Sequence, residues 1–108
     1  VKRIYISGPM TGRPGLNFNA FHAAAAVLRQ YGHEVINPAD LNPDPGMSWG
    51  ECMRKDIAAL VTCDEIVMLP GWQESRGASL EHDIATRLGM RVREMGSPEC
   101  YRDVAGSV

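Results

Sequence analysis

Four β-prone runs alternate with three amphipathic helical stretches along this chain, and that alternation limits the possible folds more tightly than any other feature. Ile4 and Ile6 lie in the run KRIYIS, which SGPMTGRPG then breaks with three glycines and two prolines, so a strand ends near Ser7 and a loop follows. Over residues 17–31, Phe18, Phe21, Ala25 and Leu28 recur at three- and four-residue intervals, which predicts a helix with one buried stripe, and Gly32 lies where a C-terminal cap belongs. Residues 33–37 read as a second strand stopped by Pro38, with a polar, proline-containing loop through Met47. Ser48 can cap the next helix, whose core stripe is Trp49, Met53, Ile57 and Leu60. A third strand is expected at 64–69, nearly continuous in its apolar character and broken by Pro70 and Gly71. A third helix begins near 75–78 and ends before Gly89, residues 90–94 form a fourth strand, and SPECYRDVAGSV carries no readable pattern.

Strands that alternate with helices imply right-handed crossovers, hence a small doubly wound, Rossmann-like α/β fold: a parallel sheet of four to five strands with helices on both faces. The 108 residues suit a single domain spanning 1–108, because no linker-like stretch divides them. Such a chain buries roughly 60 to 70% of its unfolded surface, a modest core that makes a stabilising homodimer or higher homo-oligomer plausible. In this architecture ligands bind beyond the carboxyl ends of the strands, where three unusual loops converge: 7–15, 37–40 and 70–75.

Charge and composition exclude several functions. Eleven Lys and Arg against 13 Asp and Glu give a formal charge of −2 with no basic block, so polymeric nucleic acid is not an expected partner. No apolar run approaches the roughly 20 residues that cross a bilayer, and the first residues do not read as a signal peptide, so a cytoplasmic protein without membrane contact is expected. Cys52, Cys63 and Cys100 show no CxxC or zinc-ligand spacing, and His22, His33 and His82 are scattered; neither a metal nor a cofactor is expected. The loop after the first strand lacks the GK(S/T) ending of a P-loop and does not fit GxGxxG, and no GxSxG elbow is present.

Among chemistry-bearing residues Glu81 stands out. Helical spacing puts it on one face with Gly77, Ala78, Ala85 and Leu88, the small and apolar side that meets the sheet, where a carboxylate is rare. The leading end of a helix favours its ionised form, which suits a nucleophile or base; a salt bridge to Arg54, Arg76 or Arg87 is the plainer alternative. Asp56 borders the buried face of its own helix and can hold or protonate a substrate, or simply face solvent. Backbone amides of the loop Ser7, Gly8, Pro9, Met10, Thr11 can wrap an anion or a sugar, with Ser7, Thr11 and Arg13 adding side-chain donors, although a plain turn fits equally. Asn37 ends the second strand at the same edge, and Gly77 lets a ligand approach the third helix closely. Ser75 can cap that helix or bind a phosphate. Trp72, in the loop before Glu81, can stack on a base, whereas Trp49 belongs to a core stripe.

Taken together, YISGPMTG, the aspartate of RKDIAAL, CDEIVMLPGW and GASLEHDIA resemble the nucleoside 2-deoxyribosyltransferase superfamily over residues 4–88, nearest to its short phage and bacterial members and similar also to nucleoside 5′-monophosphate N-glycosidases. The resemblance implies that Glu81 attacks the sugar C1′, that Asp56 binds a sugar hydroxyl or helps protonate the departing base, and that Tyr5 positions Glu81. It also implies that Gly8, Thr11, Arg13 and Ser75 hold a 5′-phosphate in members that act on monophosphates. The expected activity is cleavage or transfer of an N-glycosidic bond in a small nucleoside or nucleotide, with retention through a covalent glycosyl intermediate. Whether water or a second base resolves that adduct stays open. The alternative from another class is a nucleotide-sensing module that keeps the pocket without turnover and is stabilised by ligand without forming product.

Overall fold

A computed structural model describes residues 2–41 and 46–96. Its sheet has four parallel strands, β1 (Arg3–Ser7), β2 (Glu34–Ile36), β3 (Glu65–Met68) and β4 (Arg91–Glu94), in the order β2-β1-β3-β4. Ile4 is level with Val35 on one side and Glu65 on the other, so β1 and β3 are the inner strands. The chain runs from β1 outward to β2, then returns past β1 to β3. The gap above β1 and β3 is therefore the switch point at which a doubly wound sheet opens a crevice.

Strand alternation divides the core in two. Ile4 and Ile6 of β1, with Val35, Val67 and Leu69, pack against Phe21, Ala24, Ala25 and Leu28 of α1 (Phe18–Gln30). On the opposite face Tyr5, Ile66 and Met68 meet Leu60, which ends α3 (Trp49–Leu60), and Ala78 and Ala85 of α4 (Arg76–Arg87). Ser7 follows Tyr5 by two residues and so faces the α3 and α4 side as well.

The helix boundaries follow their capping residues. Ser48 accepts a hydrogen bond from the Glu51 N–H at 3.1 Å, and Ser75 accepts one from the Ala78 N–H at 3.2 Å, each satisfying a donor that the first helical turn leaves open. Gly32 takes a φ of +87° just after α1, as its capping position requires. Three expectations need correction. Where a loop was expected after Pro38, a short helix α2 (Pro38–Leu41) forms, because Asn37 Oδ1 accepts the Ala39 N–H at 3.0 Å and proline suits a first helical position. Trp49 does not join a core stripe: it is the first residue of α3 and is 39% exposed. Leu88 follows the last residue of α4 and is 59% exposed, so the buried side of that helix consists of Ala78, Glu81 and Ala85.

β3 also carries a charge that its apolar run concealed. Glu65 is buried and meets the equally buried Arg93 of β4 at 3.4 Å, an ion pair between neighbouring strands. No helix among the described residues is long and apolar enough to cross a membrane. Neither Cys52 nor Cys63 is in a disulfide, while Cys100 and the unpatterned C-terminal stretch fall outside the described residues.

Candidate active site

Glu81 is the sixth residue of α4, on the side turned to the sheet, and only 4% of it is exposed. Directly opposite are the two side chains that β1 projects toward α4. The Tyr5 hydroxyl donates to Oε2, and the Ser7 Oγ donates to Oε1 at 2.7 Å. Asp56, 7% exposed, approaches from α3 closely enough for its charge to act on Glu81. Two carboxyl groups therefore share a low-dielectric site in which one of them is held by two hydroxyl donors.

Burial pushes the Glu81 carboxyl up from 4.5 to about 7; the donors Tyr5 and Ser7 pull it down, and the Asp56 charge pushes it further up. Sequence position suggested a helix dipole that keeps the group ionised, yet desolvation outweighs it, and near neutral pH Glu81 is poised between its two forms. Burial, followed by the Glu81 and Asp56 charges, raises the Tyr5 hydroxyl well above 10, so Tyr5 remains a proton donor across the physiological range.

Glu81 and Asp56 lie on the wall of a cleft of about 640 Å³, a size typical of small-molecule sites. The first loop contributes Gly8, Met10 and Thr11, and the 3-10 turn Pro14–Asn17 contributes Leu16, which adopts a left-handed backbone at φ 54°. Phe18 and Phe21 of α1 form an apolar wall. Across from it α3 presents Trp49, Met53 and Asp56, spaced i, i+4 and i+7 and so aligned along one side of the helix. Ser75, Arg76 and Gly77 at the start of α4 close the remaining edge, where the Arg76 guanidinium lies 3.8 Å from the centre of the Trp49 ring.

Among residues singled out in the sequence, the structure thus brings Glu81, Asp56, Gly8, Met10, Thr11, Ser75 and Gly77 to one cleft, with Tyr5 and Ser7 immediately behind Glu81. Others lie elsewhere. The Asn37 amide is engaged by the Ala39 N–H and by His22 Nδ1 at 3.1 Å. Pro9 is buried, and its carbonyl accepts from Asn17 Nδ2 at 2.9 Å. Arg13 lies over Gly71, where an added Cβ would meet its Nη2 at 2.5 Å, and joins the first loop to the loop after β3. Trp72 stacks on His82 with centroids 4.2 Å apart and donates its Nε1 to Glu94 at 3.2 Å, outside the cleft lining. Gly8 has a packing reason of its own, since a Cβ there would come within 2.7 Å of Leu69 Cβ.

The sequence reading did not anticipate the apolar wall of Phe18 and Phe21 or the Trp49–Arg76 pair. The missed signal was the Trp49, Met53, Asp56 spacing: a stripe that ends in a carboxylate lines a cavity as readily as it fills a core.

Solved structures share this doubly wound sheet. A solved 2-deoxyribosyltransferase from Bacillus psychrosaccharolyticus superposes with a TM-score of 0.67 at 19% identity, covering 94% of this chain and 81% of that one. The 2-deoxyribosyltransferase of Leishmania mexicana gives 0.66 at 23% identity, with 87% of this chain and 63% of that one covered. For the CMP N-glycosidase of Clostridium botulinum the values are 0.58 and 20%, covering 86% and 67%. The chain shares the fold of these proteins. It belongs to the family described as a domain of unknown function, DUF4406, whose model matches residues 2–94. No curated protein matches it in sequence.

Proposed function

We propose that the protein cleaves or transfers the N-glycosidic bond of a nucleoside or nucleoside 5′-monophosphate, with Glu81 as the nucleophile. The observation that carries this reading is a buried carboxylate oriented by Tyr5 and Ser7 on the wall of a largely apolar cleft, with a second carboxylate beside it. Salt bridging does not explain Glu81: among the described residues its carboxylate accepts from two hydroxyls, and Arg87 pairs with Asp83 at 3.1 Å.

In the first step a Glu81 oxygen forms a bond to C1′ as the C1′–N bond breaks, and the bonding pair leaves with the base. Asp56, or water held by it, supplies a proton to that base or steadies a sugar hydroxyl. In the second step water or another base gives up a proton to Asp56 and bonds to C1′, the sugar–Glu81 ester breaks, and its electron pair returns to the carboxylate. Two displacements at one carbon retain configuration. The aromatic and methionine side chains of the cleft suit the flat face of a base, and Ser75 with Arg76 at the start of α4 suits an anionic 5′ substituent.

Incubation with deoxyribo- and ribonucleosides and their 5′-monophosphates, with and without an added free base, tests the reading by product analysis. Base release that requires Glu81, and acid-quenched protein that carries one sugar on the Glu81 peptide, are the expected results. A panel in which no substrate loses its base, while ligand still raises the melting temperature, would replace the enzyme with a nucleotide-binding module.

A further inference from the structure

Ser7 was expected to contact a ligand, but its position gives it another task. It is 1% exposed, does not line the cleft, and is held at the end of β1 by the Leu69 N–H, which donates to its carbonyl at 2.8 Å. Its hydroxyl has one proton, and that proton is donated to Glu81 Oε1. The terminal torsion of a glutamate is soft and broadly distributed, so a single donor leaves the carboxylate plane free to swing. Tyr5 and Ser7 are rooted two residues apart on one strand, about 6.6 Å, and each takes a different oxygen. Together they fix the plane.

We infer that Ser7 is a positioning residue for the Glu81 nucleophile, its hydroxyl fixing the carboxylate plane and favouring the charged form required for attack. This inference rests on the reading of Glu81 as nucleophile. Among the described residues the groups around the Glu81 charge are these: Tyr5 on β1 donates beside Ser7, Asp56 on α3 repels, Glu74 of the turn before α4 and Arg76 at its start flank the cleft, and His82 is turned away against Trp72. The neighbouring thiol Cys63 acts on Tyr5. Within this set only Tyr5 and Ser7 donate to Glu81, and both oppose the burial that favours its neutral form. The same donor also serves the second displacement, since the carboxylate that leaves C1′ recovers its charge against Ser7.

The test uses the full-length protein and three variants, Ser7→Ala, Ser7→Thr and Glu81→Gln. Carbon-13 NMR of glutamate side-chain carboxyls follows the Glu81 titration directly, with the signal assigned by its absence from Glu81→Gln. In parallel, the pH profile of kcat/KM is recorded for whichever substrate releases its base. Ser7→Ala is expected to move the Glu81 midpoint and the acid limb of the profile upward together by about one pH unit, which lowers kcat/KM about tenfold below both midpoints. Ser7→Thr, which retains the hydroxyl, is expected to restore the parent midpoint. An Ala variant whose Glu81 titrates like the parent, or a folded Thr variant that titrates like Ala, overturns the inference. If no substrate loses its base, the functional reading fails separately, and the NMR titration still decides the role of Ser7.

Discussion

Replacing Glu81 with Gln should destroy activity and stabilise the protein, and the stability gain has a pH dependence fixed by the site. The Glu81 carboxyl titrates near 4.5 when exposed and at about 7 in the fold, because burial penalises its charge more than Tyr5 and Ser7 relieve it. Below about pH 4.5 both states hold the proton and the group contributes nothing to the pH dependence. Between about 4.5 and 7 the unfolded chain releases a proton that the native state keeps, so stability falls as pH rises. Above 7 both states are ionised and the loss is complete. A separation of about 2.5 units at 1.36 kcal/mol per unit amounts to about 3 kcal/mol. Gln removes this titration while its amide can still meet the Tyr5 and Ser7 oxygens. Urea unfolding followed by circular dichroism at several pH values from 4.5 to 8 measures the effect: the variant should gain on the parent by about 3 kcal/mol across that range, with most of the gain between pH 5 and 7. Parallel profiles for the two proteins would refute the account of a desolvated, charge-strained carboxyl, whatever the activity of the variant.

Asp56→Asn removes a charge that raises the Glu81 carboxyl, so the acid limb of the kcat/KM profile should move to lower pH while the plateau falls by about 10² or more; an unmoved limb would show that the two groups are not electrostatically linked. Arg93→Ala leaves Glu65 buried without its ion-pair partner and should cost about 3 kcal/mol in urea unfolding, whereas a loss under about 1 kcal/mol would show that water or another group already compensates Glu65. Gly8→Ala drives a methyl group to 2.7 Å from Leu69 Cβ and should destabilise by about 1 to 3 kcal/mol; a neutral result would mean that the first loop relaxes freely away from β3.

The alternation of strands and helices was legible because each segment carries its own period: Ile4 and Ile6 two apart, Phe21, Ala25 and Leu28 three and four apart. Glu81 was legible for the opposite reason, as a charge that violated the period of its helix. Trp49 was misplaced because periodicity identifies a helix face without revealing whether a neighbouring element covers its first turn, and the first residue of α3 is left exposed. α2 was hidden by Pro38, read as a strand terminator when it also opens a helical turn behind Asn37. The Trp72 stack on His82 and the Arg13 approach to Gly71 join residues from different loops or elements, and no local pattern encodes such meetings.

β1 builds the hydrophobic interior with one set of side chains and holds the Glu81 carboxyl with the alternate set. Slipping that strand by a single residue would turn Ile6 toward Glu81 and bury Tyr5 beneath α1, so sheet registry and chemistry cannot be altered independently. Variation at Ile4 and Ile6 can tune robustness without touching Glu81 and its two donors, whereas an insertion or deletion within the strand disrupts both together.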